Sequence, residues 1–407
     1  MSRKRAGSMP RARLFAAAVV LLASTLAPGR AQATSIFSLF FYGERIPRGD
    51  ARSRALGYND LALADTRGAL VGNPARLAFL EETKLTTMVT TGVAKASDEQ
   101  NTYQNGFTDF PAAQVGVPLG KGIVVGVGYQ VLNSPGGEIA LDEETSEGEP
   151  YVREFQKGGS LFAVPFTLAA GLGSRGALGL TYLMQKGSVR ETWSLDFEDV
   201  TYVTGRTEYE ESYSGGTVEV GGWVRPLDRL SLAFLFRAGY DADVDVVQTF
   251  SSSLADSMSG RTDHFPPLLG AGLAFSPGDR WTLAFQYLSQ NWEEYEGRHF
   301  WETKTHREQS LHFGLERLAG EGEGSTLGRI PLRLGYAFRE WPVTQPPGHV
   351  VRGHALTAGT GFSFAGGRGV VDVSLEYLHL GSRGENGLVE DQFRFSVSFS
   401  GGEPWGR

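Results

Sequence analysis

From Lys84 to Phe399 apolar and polar residues alternate with a period of two, the spacing that sends successive side chains to opposite faces of a β-strand. Leu230, Leu232, Phe234, Phe236 and Tyr240 fall on one face, with Ser231, Arg237 and Asp241 on the other. Trp281, Leu283, Phe285 and Tyr287 alternate with Arg280, Thr282 and Gln286, and Val371, Val373, Leu375 and Tyr377 with Asp372, Ser374 and Glu376. In the last such stretch Phe393, Phe395, Val397 and Phe399 alternate with Arg394, Ser396 and Ser398. A soluble sandwich alternates too. The size of the apolar face and the aromatic residues near strand ends favour a face turned to lipid, with interfacial girdles.

The connections carry a second signal. Short turns are predicted at Gly120-Lys121, Ser174-Arg175, Pro226-Leu227-Asp228, Pro277-Gly278 and Gly366-Gly367. Between them lie longer polar loops, Ser97–Phe110, Asn133–Gln156, Ser251–Asp263, Glu296–Arg307, Glu340–Gly353 and Gly381–Leu388. Short and long connections alternate in this way in outer-membrane barrels. The flexible segment Gly320–Gly328 is an exception with no functional account. The predicted fold is all-β, a transmembrane antiparallel β-barrel of about fourteen strands over residues 84–400, with 401–407 as a periplasmic tail. The strands start near Lys84, Ala112, Gly122, Phe155, Ala177, Thr201, Arg229, His264, Asp279, Gln309, Arg329, His354, Arg368 and Val389.

Residues 34–83 break the pattern. Ile36–Tyr42 is an aromatic run that suits either the lumen or the periplasmic rim. Gly49–Leu80 is rich in small residues, with an apolar cluster Leu61-Ala62-Leu63-Ala64 and a turn Gly72-Asn73-Pro74-Ala75. Small residues allow close backbone packing, and the stretch is read as a hatch filling the barrel lumen. Ahead of it, residues 1–33 read as a secretory signal peptide. Arg3, Lys4, Arg5, Arg11 and Arg13 precede the apolar core Leu14–Ala27, and Ala31-Gln32-Ala33 is a small-x-small cleavage site that would start the mature chain at Thr34. Met9 is an alternative start. An apolar core of about 14 residues is too short to span a bilayer, and no later segment is apolar enough for a membrane helix, so spanning would require a closed barrel.

Composition narrows the chemistry. The net charge of −8 has its signs interspersed, which leaves no basic stripe for nucleic acid. The chain has no cysteine, so disulfides, thiolate metal sites and lipoprotein acylation are excluded.

Three short motifs carry a family resemblance: Arg54-Ala55-Leu56-Gly57, Leu61-Ala62-Leu63-Ala64-Asp65 and Asn73-Pro74-Ala75-Arg76-Leu77-Ala78. They are similar to the hatch of FadL-type outer-membrane transport proteins and their PorV-like relatives, whose pattern runs as a GMGG-like turn, an alanine-rich segment ending in acidic residues, and NPAGLA. Here Tyr58-Asn59-Asp60 replace Met-Gly-Gly, Asp65 stands for an acidic pair, and Arg76 for a glycine. The resemblance implies fourteen strands and places Gly57, Asp65, Asn73, Pro74 and Ala75 in a gating hatch. It also implies that a strand defect forms a lateral exit, for which Pro165 is the candidate kink, with an early strand end or simple bulge as the other reading. The Gly-Gly-Glu-x-Trp ending resembles the PorV-like branch.

Other motifs read as structure. Gly171-x-Gly173-x-x-Gly176 precedes a strand-like segment and not a helix, so it is a turn and not a dinucleotide site. Asp241-x-Asp243-x-Asp245 lacks the glycine and glutamate of a calcium loop and reads as solvated charge or contact with divalent-bridged lipopolysaccharide. The seven histidines form no short metal-ligand spacing. His379 lies on an outward face where a surface lipid hydrolase would place a Ser–His pair, but nothing nominates the serine.

The expected function is passive uptake of hydrophobic small molecules across a bacterial outer membrane, long-chain fatty acids being the family example, with no enzyme activity, cofactor or metal. The expected partners are a hydrophobic ligand, outer-membrane lipid and lipopolysaccharide, and the barrel-assembly machinery. The alternative is a PorV-like barrel that binds or shuttles secreted proteins; a surface lipid hydrolase ranks below both.

Overall fold

The computed structural model describes residues 35–65, 67–197, 202, 204–250, 256–293, 295, 304–320, 330–345 and 348–403. They contain eighteen strand segments in one antiparallel sheet. One is a two-residue hatch strand, Glu44–Arg45, and three pairs are halves of single interrupted strands, which leaves fourteen strands in the wall. In order these are β1 Thr83–Ser97, β2 Thr102–Gly120, β3 Ile123–Ser134 continued by Gly137–Glu144, β4 Pro150–Gly171 and β5 Gly176–Phe197. Next come β6 Gly205–Leu227, β7 Leu230–Arg237 continued by Tyr240–Phe250, β8 Asp256–Phe265 continued by Leu268–Phe275, β9 Trp281–Asn291 and β10 Arg307–Arg317. The last four are β11 Leu332–Thr344, β12 Val350–Phe364, β13 Gly369–Ser382 and β14 Leu388–Glu403. β14 pairs with β1 from Val389↔Ser97 to Glu403↔Thr83. That closure removes both sheet edges, the condition for crossing lipid with strands.

The alternation predicts the faces. Leu180, Phe234, Leu283, Phe313, Leu334, Leu356, Leu375 and Phe393, spread around the wall, all stay more than a third exposed. So broad an apolar surface suits lipid and not water. The inward face is polar: Gln286, His312, Glu316, Arg333, Asp372 and Arg394 are all buried. At one strand the expected face is wrong. Tyr240 turns inward and stacks on Phe265 with centroids 4.9 Å apart, and Asp241 turns outward. The cause is the interruption at Ala238-Gly239, which shifts the parity as a bulge does. Beyond it Ala242 and Val244 are fully buried, and the aspartates 241, 243 and 245 form the outer face.

Several expected loops are strand. β2 starts at Thr102, the segment expected as Asn133–Gln156 forms a hairpin from Gly137–Glu144 to Pro150, and β8 starts at Asp256. These extensions have polar residues on both faces, so pairing continues where the alternation signal has stopped. β6 starts at Gly205, four residues past the expected Thr201, and β14 runs to Glu403, three residues into the expected tail. All of the Gly320–Gly328 segment after Gly320, and most of Glu296–Arg307, lie outside the described residues.

The lumen is filled by Ser35–Glu82. The chain enters among the long connections, where Phe37 packs on Trp341 and Phe41 on Trp292. That settles the place of the aromatic run: inside the lumen, at the loop end. It then forms the strand Glu44–Arg45, a five-residue helix Ala51–Ala55 capped by Asp50, and a 3-10 turn Pro74–Phe79 capped by Asn73, before leaving into β1 at the turn end.

Candidate functional site

Hatch and wall are joined through apolar clusters, such as Leu61 with Leu235 and Leu268, and through buried charge. Arg52 in the hatch helix donates to Glu316 of β10 at 3.0 and 2.5 Å and to Asp65 at 2.9 Å. Glu316 also accepts from Arg333 of β11 at 2.8 Å, and Arg333 reaches Asp372 of β13 at 2.6 Å. Arg52, Glu316 and Arg333 are almost wholly buried. Nearer the loop end Glu44 receives Arg394 at 2.7 Å and Arg339 at 3.2 Å, and Arg45 reaches Glu308 at 3.0 Å. Arg48 and Arg237 both pair with Glu219. Buried charges need such partners, because each would otherwise lose its hydration uncompensated.

The hatch is also folded on itself. Arg76 pairs with the Asp60 carboxylate and donates to the carbonyls of Leu63 and Asp65 at 3.0 and 2.6 Å. Burial pushes the Asp60 carboxyl up to about 6, against the opposing pull of Arg76. Asn73 accepts from the Ala75 amide at 3.0 Å and donates to the carbonyls of Leu61 and Gly222, which ties the turn to β6. Pro74 and Ala75 sit on Gly179 of β5; a Cβ there would lie 2.3 Å from Pro74. Gly57 has a positive φ of +66° and lies against Gly335, its amide donating to Thr357 at 3.0 Å and its carbonyl held by His312 at 2.7 Å.

Gly57, Asp65, Asn73, Pro74 and Ala75 therefore all lie in the hatch, with Asp65 half-exposed and the Asn73–Ala75 turn buried. Pro165 lies apart, in the wall. It faces inward on β4 with an unbroken ladder to β5, Pro165↔Leu183. Toward β3 the pairs stop at Val127↔Phe166 and resume at Gln130↔Ala163, so Pro165 sits in a two-residue interruption of that seam. Farther along, Asn133 of β3 keeps its pair with Leu161 of β4, while Asn133 and Ser134 also pair with Arg45 and Glu44 of the hatch. A cavity of about 90 Å³ lies between hatch residues Arg45–Arg48 and wall residues that include Gln130 and Asn133 of β3, Gln185 of β5 and Gln286 of β9.

The wall charges that hold the hatch were not singled out from sequence, although the alternation had put Asp372, Glu376 and Arg394 on the polar face. The remaining motifs resolve simply. Gly171–Gly176 is the β4–β5 turn, closed by Leu172 donating to Gly176 at 2.7 Å. His379 meets Asp391 at 2.8 Å, and among the described residues no serine is a hydrogen-bond partner of it. Among the described residues no group of histidines and carboxylates could hold a metal.

A family model described as BamG matches residues 11–407. No curated protein matches. Among solved structures, a Pseudomonas aeruginosa FadL homologue is 12% identical with a TM-score of 0.60, covering 88% of this chain and 99% of that one. The Ralstonia pickettii toluene transporter TbuX is 13% identical with a TM-score of 0.60, covering 88% and 98%. The CymD monoaromatic hydrocarbon channel is 13% identical with a TM-score of 0.54, covering 87% and 97%. At these identities the likeness is one of fold.

Proposed function

The chain belongs to the BamG family, and from that premise and the FadL-type fold of its outer-membrane barrel we propose that it passes hydrophobic small molecules passively across the outer membrane. The observation that carries this reading is the interrupted β3–β4 seam, with a lumenal cavity that reaches β3 at Gln130 and Asn133. Cargo would enter among the aromatic residues at the loop end, pass the hatch strand, and leave through the wall at Pro165 or toward the periplasm. Apolar burial, at about 25 cal/mol per Å², would supply the affinity. The cavity is smaller than the roughly 150 Å³ that accommodates benzene in an apolar site. Passage therefore requires displacement of Glu44–Arg48, and Gly57, Asp65 and the Asn73-Pro74-Ala75 turn are the gating elements behind it. Both long-chain fatty acids and monoaromatic hydrocarbons fit this cargo class.

The dense, ion-paired hatch favours a second reading, a PorV-like barrel that does not transport but holds secreted proteins at its loop end. In either case the barrel-assembly machinery would insert it and lipopolysaccharide would surround it. Uptake of labelled toluene and labelled oleate, compared between a strain carrying the barrel and the same strain without it, tests the first reading. Equal uptake of both probes would refute it.

A further inference from the structure

Gln185 of β5 is 1% exposed, and neither its amide nitrogen nor its amide oxygen has a hydrogen-bond partner. A buried amide left wholly unpaired calls for an explanation, because it has lost its hydration for nothing in return. Gln185 lines the cavity between hatch and wall, and so does Arg48 of the hatch. Arg48 spends Nη1 on Glu219, while its Nε and Nη2 are shielded from solvent and also without a partner.

Charge is uneven around the same cavity. Arg45, Arg48, Arg237 and Arg339 line it, against the carboxylates of Asp60 and Glu308. Asp60 is already taken by Arg76 and Glu308 by Arg45, and Arg339 shares Glu44 with Arg394. Arg48 and Arg237 face a single carboxylate, Glu219, and among the described residues neither has another acidic partner. A water satisfies an amide but does not offset a surplus charge in a buried place.

Spare donors and spare positive charge together call for an anion. The unmet Gln185 oxygen adds a condition: the guest must donate a hydrogen bond as well as accept several. Hydrogen phosphate meets both, with ionised oxygens for the guanidinium and amide N–H groups and a hydroxyl for the amide oxygen. The planar fork of arginine suits phosphate oxygens in particular. At about 10–15 Å³ for each water, the cavity of about 90 Å³ has room for several waters, and so for an ion of a few heavy atoms.

We propose that the cavity between Arg48 of the hatch and Gln185 of the wall is a binding site for a hydroxyl-bearing oxyanion of the phosphate class. Bound there, the ion bridges the hatch to β5 and holds Arg45–Arg48 against the wall. The proposal is independent of whether the barrel carries hydrophobic cargo, since its ligand is polar and its effect is to fasten the hatch.

The test uses the full-length protein purified in detergent and phosphate-free buffer, titrated calorimetrically with inorganic phosphate, glycerol 3-phosphate and sulfate. Saturable binding at millimolar or lower concentration is expected for one of the two phosphates. Tighter binding of the first assigns the site to the free ion, and of the second to the phosphomonoester end of a larger molecule. Sulfate, which has no hydroxyl at neutral pH, should bind about tenfold more weakly. Gln185→Met keeps the length of the side chain and removes both unmet atoms, so it does not threaten folding. Arg48→Met leaves Glu219 with Arg237 alone. Each should weaken phosphate binding about tenfold or more. Hydrogen exchange at the Ile46 amide, which donates to the Leu132 carbonyl at 2.9 Å, should slow when phosphate is added to the native protein and not in either variant. No saturable binding of either phosphate, sulfate binding as tightly as phosphate, or unchanged affinity in Gln185→Met would overturn the proposal. If Arg48→Met does not fold, the native and Gln185→Met titrations decide alone.

Discussion

Glu316→Gln should loosen the hatch without disturbing the barrel. Glu316 is 1% exposed and accepts from Arg52 of the hatch and Arg333 of the wall. The amide keeps the shape and removes the charge that both guanidinium groups share. Removing one partner of a buried pair costs about 3–5 kcal/mol. Here Asp65 still meets Arg52 and Asp372 still meets Arg333, so the lower end, about 3 kcal/mol, is expected. At 1.4 kcal/mol per factor of ten this is about two powers of ten in the ratio of seated to displaced hatch. Amide hydrogen exchange followed by mass spectrometry should show it as about hundredfold faster exchange in Ala51–Gly57, with β13 and β14 unchanged. Ser398→Ala is the control. It removes only the hydroxyl that accepts from the Ala51 amide at 3.3 Å, worth about 1 kcal/mol, and should shift exchange less than tenfold. Hatch exchange within threefold of the native protein in Glu316→Gln would refute the view that buried charge holds the hatch.

Arg45→Cys with Asn133→Cys joins Cα partners of an antiparallel pair, within disulfide range; oxidation should abolish uptake and reduction restore it, and unaltered uptake in the oxidised form would exclude movement of this segment from transport. Asn73→Ala deletes a cap and two carbonyl contacts, at a cost of about 2 kcal/mol, and should expose the Pro74–Phe79 turn to protease. Gly179→Val places a Cβ 2.3 Å from Pro74 and 2.4 Å from the Ala75 nitrogen; neither backbone can yield, so a loss of about 1–3 kcal/mol is expected, read as a lower folded yield on heat-modifiability gels. The raised pKa of Asp60 means that protonation favours the seated hatch: its contribution is complete below about 4 and is lost as pH rises through about 6. Protection of the Gly72 amide, which donates to Asp60, taken after correction for the intrinsic pH dependence of exchange, should therefore be greater at pH 5 than at pH 7, and Asp60→Asn should flatten that difference.

The wall was legible because lipid imposes a strict period of two. Leu283, Phe285, Leu375 and Phe393 alternate with lumenal Gln286, Glu376 and Arg394, and both sets lie where the alternation puts them. Legibility ended where the wall rises out of lipid. There both faces of a strand such as Thr102–Gly120 meet polar surroundings, and pairing alone holds the backbone extended. The parity change at Ala238-Gly239 was hidden because one irregular residue leaves composition unchanged while reversing every side chain after it. In the hatch, the small-residue motifs signalled close packing, but which arginine meets which glutamate depends on wall partners more than two hundred residues away, such as Arg52 and Glu316.

The hatch is not fastened evenly, and the difference bears on how it could open. Arg52, Arg76, Glu316 and Arg333 have nearly dry ion pairs, whereas Arg45, Arg48 and Arg339 line the cavity and keep 14–22% of their side-chain surface exposed. Hydration weakens a pair and lowers the penalty of separating it. Arg45 and Arg48 are thus less costly to part from their partners than Arg52 or Arg76, although Glu44 beside them keeps a dry pair with Arg394; this segment pairs with β3 at Asn133 and Ser134. Displacing Arg45–Arg48 would release the hatch from Asn133 and Ser134 and enlarge the cavity along β3, while the Asn73-Pro74-Ala75 turn stays seated on Gly179. Under the proposed transport, a hydrophobic molecule would then cross the wall without the lumen opening from end to end.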